Sequence, residues 1–136
     1  MAKLFKLEII ASDHPFYKGE SEMLVFPGID GQHGILASHE PMVTCVKNGE
    51  VKFLIDGEWQ YAAVSEGFVE ITPEHVILLA DTIEKPDEID LHRAEEARIR
   101  AEERLRQQLS RKEYYQTVAA LNRAMTRLKV KRNHTK

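Results

Sequence analysis

Four arginines in the second half of the chain have the spacing of an anion site. Arg93 and Arg100 are seven residues apart, about two turns at ~3.6 residues per turn, so on a helix they share a face. Arg123 and Arg127 are four apart and share a face likewise. If the chain turns back near Arg111, Arg100 falls roughly opposite Arg123, and Arg93 roughly opposite Arg127. Four guanidiniums on facing surfaces repel unless an anion lies between them, and their planar forks suit phosphate oxygens. The same spacing also describes a solvated helix face, the usual fate of a charge run. Spacing alone leaves both readings open.

Other residue types in the chain are also capable of chemistry. His33, His39 and His75 could serve as metal ligands of a small β-barrel enzyme, since imidazole suits zinc or iron. No close His-x-His or Cys-x-x-Cys spacing accompanies them, and a surface loop holding His33 and His39 against a partner fits better. The carboxylates of the first half include no pair that the pattern places in a pocket, so hydrolysis has no acid/base case. Tyr114 and Tyr115 read as packing residues. Cys45 falls in an apolar strand pattern; a single cysteine cannot form an internal disulfide, which fits a reducing cytoplasm. No catalytic residue and no metal site is assigned.

The elements that must hold the arginines come in two kinds. Up to about Glu84 the chain reads as short strands and tight turns. Lys3–Ala11 alternates, and a short strand follows the Ser12–Pro15 turn cluster. Met23–Phe26, Met42–Val46, Gly67–Thr72 and His75–Ala80 are strand-like. Pro27–Gly31 reads as a loop. Asn48-Gly49 and Asp56-Gly57 both have the form of type I′ hairpin turns, and Pro73-Glu74 joins a third hairpin. Eight or nine such strands predict an antiparallel sandwich or barrel. Pro86 ends this part, and Asp87, Glu88 and Asp90 supply negative charge suited to a helix N-terminus. Beyond them no Gly or Pro occurs.

The second half therefore reads as two helices. Leu91, Ala94, Ala101, Leu105 and Leu109 share one face. Ser110-Arg111-Lys112-Glu113 has capping-box form and restarts the helix, after which Tyr114, Val118, Leu121, Met125 and Leu128 make a narrow stripe. The expectation is a β domain over 1–85 and an antiparallel helical hairpin over 86–136, too thin in its apolar stripe to be stable alone. Charge divides the same way. Residues 1–86 carry 6 basic and 14 acidic residues, and 87–136 carry 13 and 8. From Arg104 onward ten basic residues face one acidic residue, Glu113. Such a patch suits an acidic protein surface or a phosphate ligand; with few aromatics interleaved and no nucleic-acid motif, nucleic acid is not expected. No apolar run approaches the ~18 residues of a membrane span, and the start, Met1-Ala2-Lys3-Leu4, lacks signal-peptide architecture.

Three stretches carry a resemblance. Gly31-Gln32-His33-Gly34-Ile35-Leu36 with the following His39, Ser65-Glu66-Gly67-Phe68-Val69-Glu70-Ile71, and Ile77-Leu78-Leu79-Ala80-Asp81 resemble the landmark stretches of the bacterial F-type ATP synthase ε subunit. The helical half resembles the same family. Departures are Gln32, where the family usually has Glu or Asp, Ala37-Ser38, where it has Pro-Gly, and Glu66, where it has Gly. The resemblance implies a non-catalytic rotor subunit at the cytoplasmic face of the bacterial cell membrane, peripheral through its complex. Its β sandwich would bind the γ subunit and sit on the c-ring, with Gln32, His33 and His39 on the partner-contact side. Its helical arm would move between a folded state and an extended state that inhibits ATP hydrolysis in the α/β catalytic head. There the late basic residues, Arg111, Lys112 and Lys129 among them, would meet an acidic surface.

Ile89-Asp90-Leu91-His92-Arg93-Ala94 is similar to the Ile/Leu-Asp-x-x-Arg-Ala motif by which some members bind ATP on the folded arm. The implied set is Glu84, Ile89, Asp90, Arg93, Ala94, Arg100, Arg123 and Arg127, with ATP as a regulatory ligand, alone or with Mg²⁺. Two other classes stay open beside this one: a free-standing nucleotide-sensing adaptor, and a β-barrel metalloenzyme with a helical oligomerisation arm.

Overall fold

Alternation along Phe5–Ala11 (β1) sends Phe5, Leu7, Ile9 and Ala11 to a buried face and leaves Lys6 exposed, as the two-residue period of a strand requires. The structure, a computed structural model, describes residues 3–134; Met1, Ala2, Thr135 and Lys136 lie outside the described residues. Ten strands form two five-stranded sheets among them. One sheet is ordered β2 (Pro15–Ser21), β1, β9 (His75–Ala80), β8 (Gly67–Ile71), β5 (Met42–Val46). The other is ordered β10 (Ile83–Glu84), β7 (Glu58–Val64), β6 (Gly49–Ile55), β3 (Met23–Gly28), β4 (Gly31–Ile35). Neighbours are antiparallel except β1 and β9, which run parallel with Leu7 against Val76 and Ile9 against Leu78. Leu7, Ile9, Leu24, Phe26, Ile35, Val51, Val69, Ile71 and Leu78 fill one core. Each fully buried aliphatic chain contributes about 1.5–3 kcal/mol.

The turns divide the sequence expectations. Asp56 and Gly57 take φ of 50° and 77°, and Ile55 pairs with Glu58, so this is the I′ hairpin expected. Ile71 pairs with Val76 across the Pro73-Glu74 turn, where both the backbone N–H and the hydroxyl of Thr72 donate to the His75 carbonyl at 2.8 Å. Asn48-Gly49 is not a hairpin. β5 pairs with β8 in one sheet, whereas β6 pairs with β7 and β3 in the other. Asn48 keeps a negative φ, and the chain here crosses between layers, with Lys47 donating to the Pro27 carbonyl at 2.8 Å. The expected loop at Pro27–Gly31 is largely strand: Gly28 pairs with Gly31, and β4 continues through His33 against Phe26.

The chain divides after Glu84, and residues from Lys85 form a second unit. Pro86–Glu88 makes one 3₁₀ turn, followed by α1 (Leu91–Leu105) and α2 (Arg111–His134). The Ser110 capping box is present: the Glu113 N–H donates to Ser110 Oγ at 3.2 Å, and the Ser110 N–H to Glu113 Oε1 at 3.4 Å. Two cross-helix ion pairs, Glu95–Arg132 at 3.1 Å and Arg104–Glu113 at 2.8 Å, make the helices antiparallel. The stripe on α2 keeps Leu128 of the expected residues and departs elsewhere. Thr117, Ala124 and Leu128 are buried, whereas Tyr114 and Met125 are 49% and 52% exposed. On α1 the buried pair is Ala94 and Ala101, and Leu91 is exposed. Small side chains form this seam because they let two backbones approach closely; Ala94 and Ala101 lie on the expected face of α1, whereas Thr117 and Ala124 lie off the expected stripe of α2.

Candidate anion site on the helical hairpin

The motif that opens α1 is first a helix start. Ile89 and Ala94 occupy the two positions of a hydrophobic staple and both are buried. Asp90 between them caps the helix, its Oδ1 accepting the Arg93 N–H at 3.2 Å. A cap and staple of this form fix where Arg93 stands in the first turn. Asp90 is thereby already engaged, and its charge lies where the helix dipole favours it.

The four arginines share one flank. Arg93 immediately precedes Ala94, Arg100 precedes Ala101, Arg123 precedes Ala124, and Arg127 precedes Leu128, and all four followers are seam residues. One residue is about 100° of helix rotation, so each arginine stands to the same side of its seam. Because the helices are antiparallel, these two sides coincide in space. The ion pairs at either end set the level: Arg100 lies about level with Arg123, and Arg93 is near Arg127. The hairpin thus brings Arg93, Arg100, Arg123 and Arg127 to one groove flank. The side chains of Arg93, Arg100 and Arg123 are exposed and make no hydrogen bond or ion pair among the described residues. Arg127 is half-buried, with Nε enclosed.

The opposite flank is neutralised. Glu95 and Glu102 follow the seam alanines, and Arg98 binds both, at 2.7 Å in the case of Glu102; Glu95 also receives Arg132. Sequence reasoning did not find this network, although Glu95, Arg98 and Glu102 have the three- and four-residue spacing that would have signalled it. Arg98 and Arg132 hold Glu95 below the usual carboxylate range, the Arg98 hydrogen bond foremost. Glu113 is also lowered, chiefly by hydrogen bonding to Ser110 and further by Arg104. A lowered carboxyl stabilises the fold above its unfolded pKa, and that contribution is lost as pH falls through the folded value. The thermal midpoint of the hairpin should therefore be flat from about pH 7 to 5 and drop below about pH 4, a course that circular dichroism melts at stepped pH would trace.

Glu84 lies in the other unit, on β10, opposite Ala63. Of the expected partner-contact residues, Gln32 is exposed on β4 opposite Pro27. His33 stands on the same strand, its ring 5.4 Å from that of Phe26, rather than in a loop. His39 is in the following loop, with Nδ1 2.8 Å from the Glu40 carbonyl. Arg111, Lys112 and Lys129 are exposed on α2. His75 Nε2 is 2.9 Å from Glu8, and among the described residues no group of three His, Cys, Asp or Glu is placed to hold a metal. Cys45 is exposed on β5, facing away from the core because β5 turns Val46 inward. Among the described residues no helix is long and apolar enough to cross a membrane.

Comparison with known proteins agrees with this division. Residues 4–86 match the model for the ATP synthase delta/epsilon chain β-sandwich domain, and residues 87–132 that for the delta/epsilon chain long α-helix domain. The ATP synthase epsilon chain of Ruminiclostridium cellulolyticum is 46% identical over 124 residues, covering 91% of this chain and 92% of that one. That of Caldanaerobacter subterraneus is 41% identical over 131 residues, covering 96% and 95%. Among solved structures, a chain of the Euglena gracilis mitochondrial ATP synthase (OSCP/F1/c-ring, rotational state 1) superposes with a TM-score of 0.80 at 19% identity, over 93% of this chain and 79% of that one. The fold is shared at that distance. With both halves matched and bacterial relatives above 40% identity end to end, the chain belongs to the ATP synthase delta/epsilon chain family, as an epsilon chain.

Proposed function

We propose that the chain is the non-catalytic rotor subunit of a proton-translocating F-type ATP synthase, and that its helical arm senses ATP and restrains ATP hydrolysis. The β unit binds the γ subunit and meets the c-ring, with Gln32 and His33 of β4 and His39 of the loop that follows as its contact residues. The complex, not the chain itself, holds it at the cytoplasmic face of the membrane. The observation that carries the sensing role is the flank of Arg93, Arg100 and Arg123, exposed and, among the described residues, without side-chain partners, beside a flank where Arg98 and Arg132 are paired. Such a surface is electrostatically unsatisfied until an anion enters, and ATP presents several phosphate oxygens to planar forks. Mg²⁺ would enter with the nucleotide, since among the described residues no group of three His, Cys, Asp or Glu is placed to hold it.

ATP shifts an arm equilibrium only by binding its states unequally. In the closed hairpin the arginines of α1 and α2 share a flank; with the helices apart they do not. Arg111, Lys112 and Lys129 are then left for an acidic surface of the catalytic head. A chain ended after Pro86 tests the division of labour. The core it keeps is closed within Phe5–Ile83, so it should fold and still bind the γ subunit, while the reconstituted complex hydrolyses ATP without restraint or response to ATP-induced arm closure. If that shortened chain remains as inhibitory as the full one, the arm is not the regulator.

A further inference from the structure

The break between the helices is not written into the backbone. Arg106, Gln107, Gln108 and Leu109 are all good helix formers. The segment contains no Gly or Pro. Arg106, the C-cap of α1, sits at φ −81° and ψ −8°, and no residue from 106 to 110 takes a positive φ, so there is no left-handed terminator of the kind that normally ends a helix. Local preference runs toward continuing the helix. Something else must hold the chain open here.

That something converges on one carboxylate. Glu113 Oε2 accepts Arg104 Nη2 at 2.8 Å across the seam. Its Oε1 accepts the Ser110 N–H at 3.4 Å, and its own N–H donates to Ser110 Oγ at 3.2 Å. None of the three survives in a continuous helix. There the Ser110 and Glu113 amides would bond to carbonyls four residues back. Arg104 and Glu113, nine residues apart, would be separated by about 13 Å of rise and stand on opposite sides. Both contacts of the Glu113 carboxylate thus belong to the closed hairpin and to no straight form of the same segment.

We propose that Glu113 is the latch of the arm: its capping box and its bridge to Arg104 hold residues 106–110 non-helical, and its release lets α1 and α2 join into one helix. The inference rests on the proposed reading of the arm as a two-state element, but is tested on the isolated chain with neither nucleotide nor partner subunits.

A reporter thiol at Ala124→Cys, in a Cys45→Ser background, lies on the seam well beyond any fraying of the α2 start. Its labelling rate under excess reagent follows the open population even when that population is small. Glu113→Ala should label about tenfold faster than the parent, the effect of losing a cap. Glu113→Gln, which keeps a capping-box acceptor, should show a smaller gain. Arg104→Gln should match it, and the Arg104→Gln/Glu113→Gln pair should exceed neither, since both remove one bridge. Helical circular dichroism should hold or rise in Glu113→Ala. Unchanged labelling in Glu113→Ala overturns the latch, and so does faster labelling accompanied by loss of helix, which would mean that α2 unwinds. Loss of inhibition by the arm in the assembled enzyme bears on the proposed function and leaves this result standing.

Discussion

An Arg93→Ala subunit and an Arg123→Ala subunit should each bind ATP about 10- to 150-fold more weakly than the parent chain, the loss expected when a charge-assisted hydrogen bond worth roughly 1.5–3 kcal/mol is removed. The two stand on different helices but one flank, so the double variant should lose more than either, though less than the product, because both would touch one ligand. Lysine at either position should restore only part, since the fork is gone. Stability should barely change, as neither side chain has a partner to leave behind among the described residues. Arg98→Ala is the informative control: its guanidinium is held by Glu95 and Glu102 on the other flank, and ATP affinity should stay as it was. Isothermal titration of the isolated subunits reads them all. Equal affinity in both single alanine variants would return these arginines to ordinary solvated charge.

Gly67→Ala should cost the β unit about 3 kcal/mol, the upper end for an overpacked core and a large share of the ~5–15 kcal/mol that holds a domain together. A Cβ at Gly67 would lie 1.8 Å from the Leu79 carbonyl oxygen and 2.7 Å from Ala80 Cα. Those atoms belong to the paired strand β9, with Gly67 opposite Ala80, so relief requires moving backbone. Gly34→Ala meets only the end of a Met23 side chain, at 3.0 Å, and should be tolerated far better. Denaturant midpoints for the two variants would separate them, with the slope unchanged if only stability is affected. A Gly67→Ala midpoint equal to that of Gly34→Ala would show that the β8–β9 pairing relaxes easily.

Which features were legible in the sequence follows from how local their causes are. Asp56-Gly57 announced its turn because positive φ at two adjacent residues is a property of those residues. Ser110-x-x-Glu113 announced a helix start for the same reason. Asn48-Gly49 misled because β5 finds its partner in β8, more than twenty residues on, and no local signal names a strand's partner. His33 was placed in a loop because glycines at positions 28, 31 and 34 look like turn chemistry; the β3–β4 hairpin uses them within its ladder. The arginine flank was visible as spacing, yet its sidedness was not. That depends on the α2 seam running through Thr117 and Ala124, off the stripe its large residues suggest, which only packing reveals. Cys45, expected in an apolar strand, is exposed because its neighbour Val46 takes the inward position.

The parallel pairing of β1 with β9 governs how the protein comes into being. The bond from Ser12 Oγ to the Asp81 carbonyl joins residues 69 apart, so the first strand made waits for the ninth before its sheet is complete. Until then the β1 edge, carrying Leu7 and Ile9, is an unpaired template open to wrong neighbours. Closing so long a loop must precede the contacts that reward it, which puts the β unit among slow, non-local folders on the millisecond-to-second scale. During synthesis the sandwich cannot close before β9 is made, and the arm follows in the chain, added after the last strand that the β unit needs.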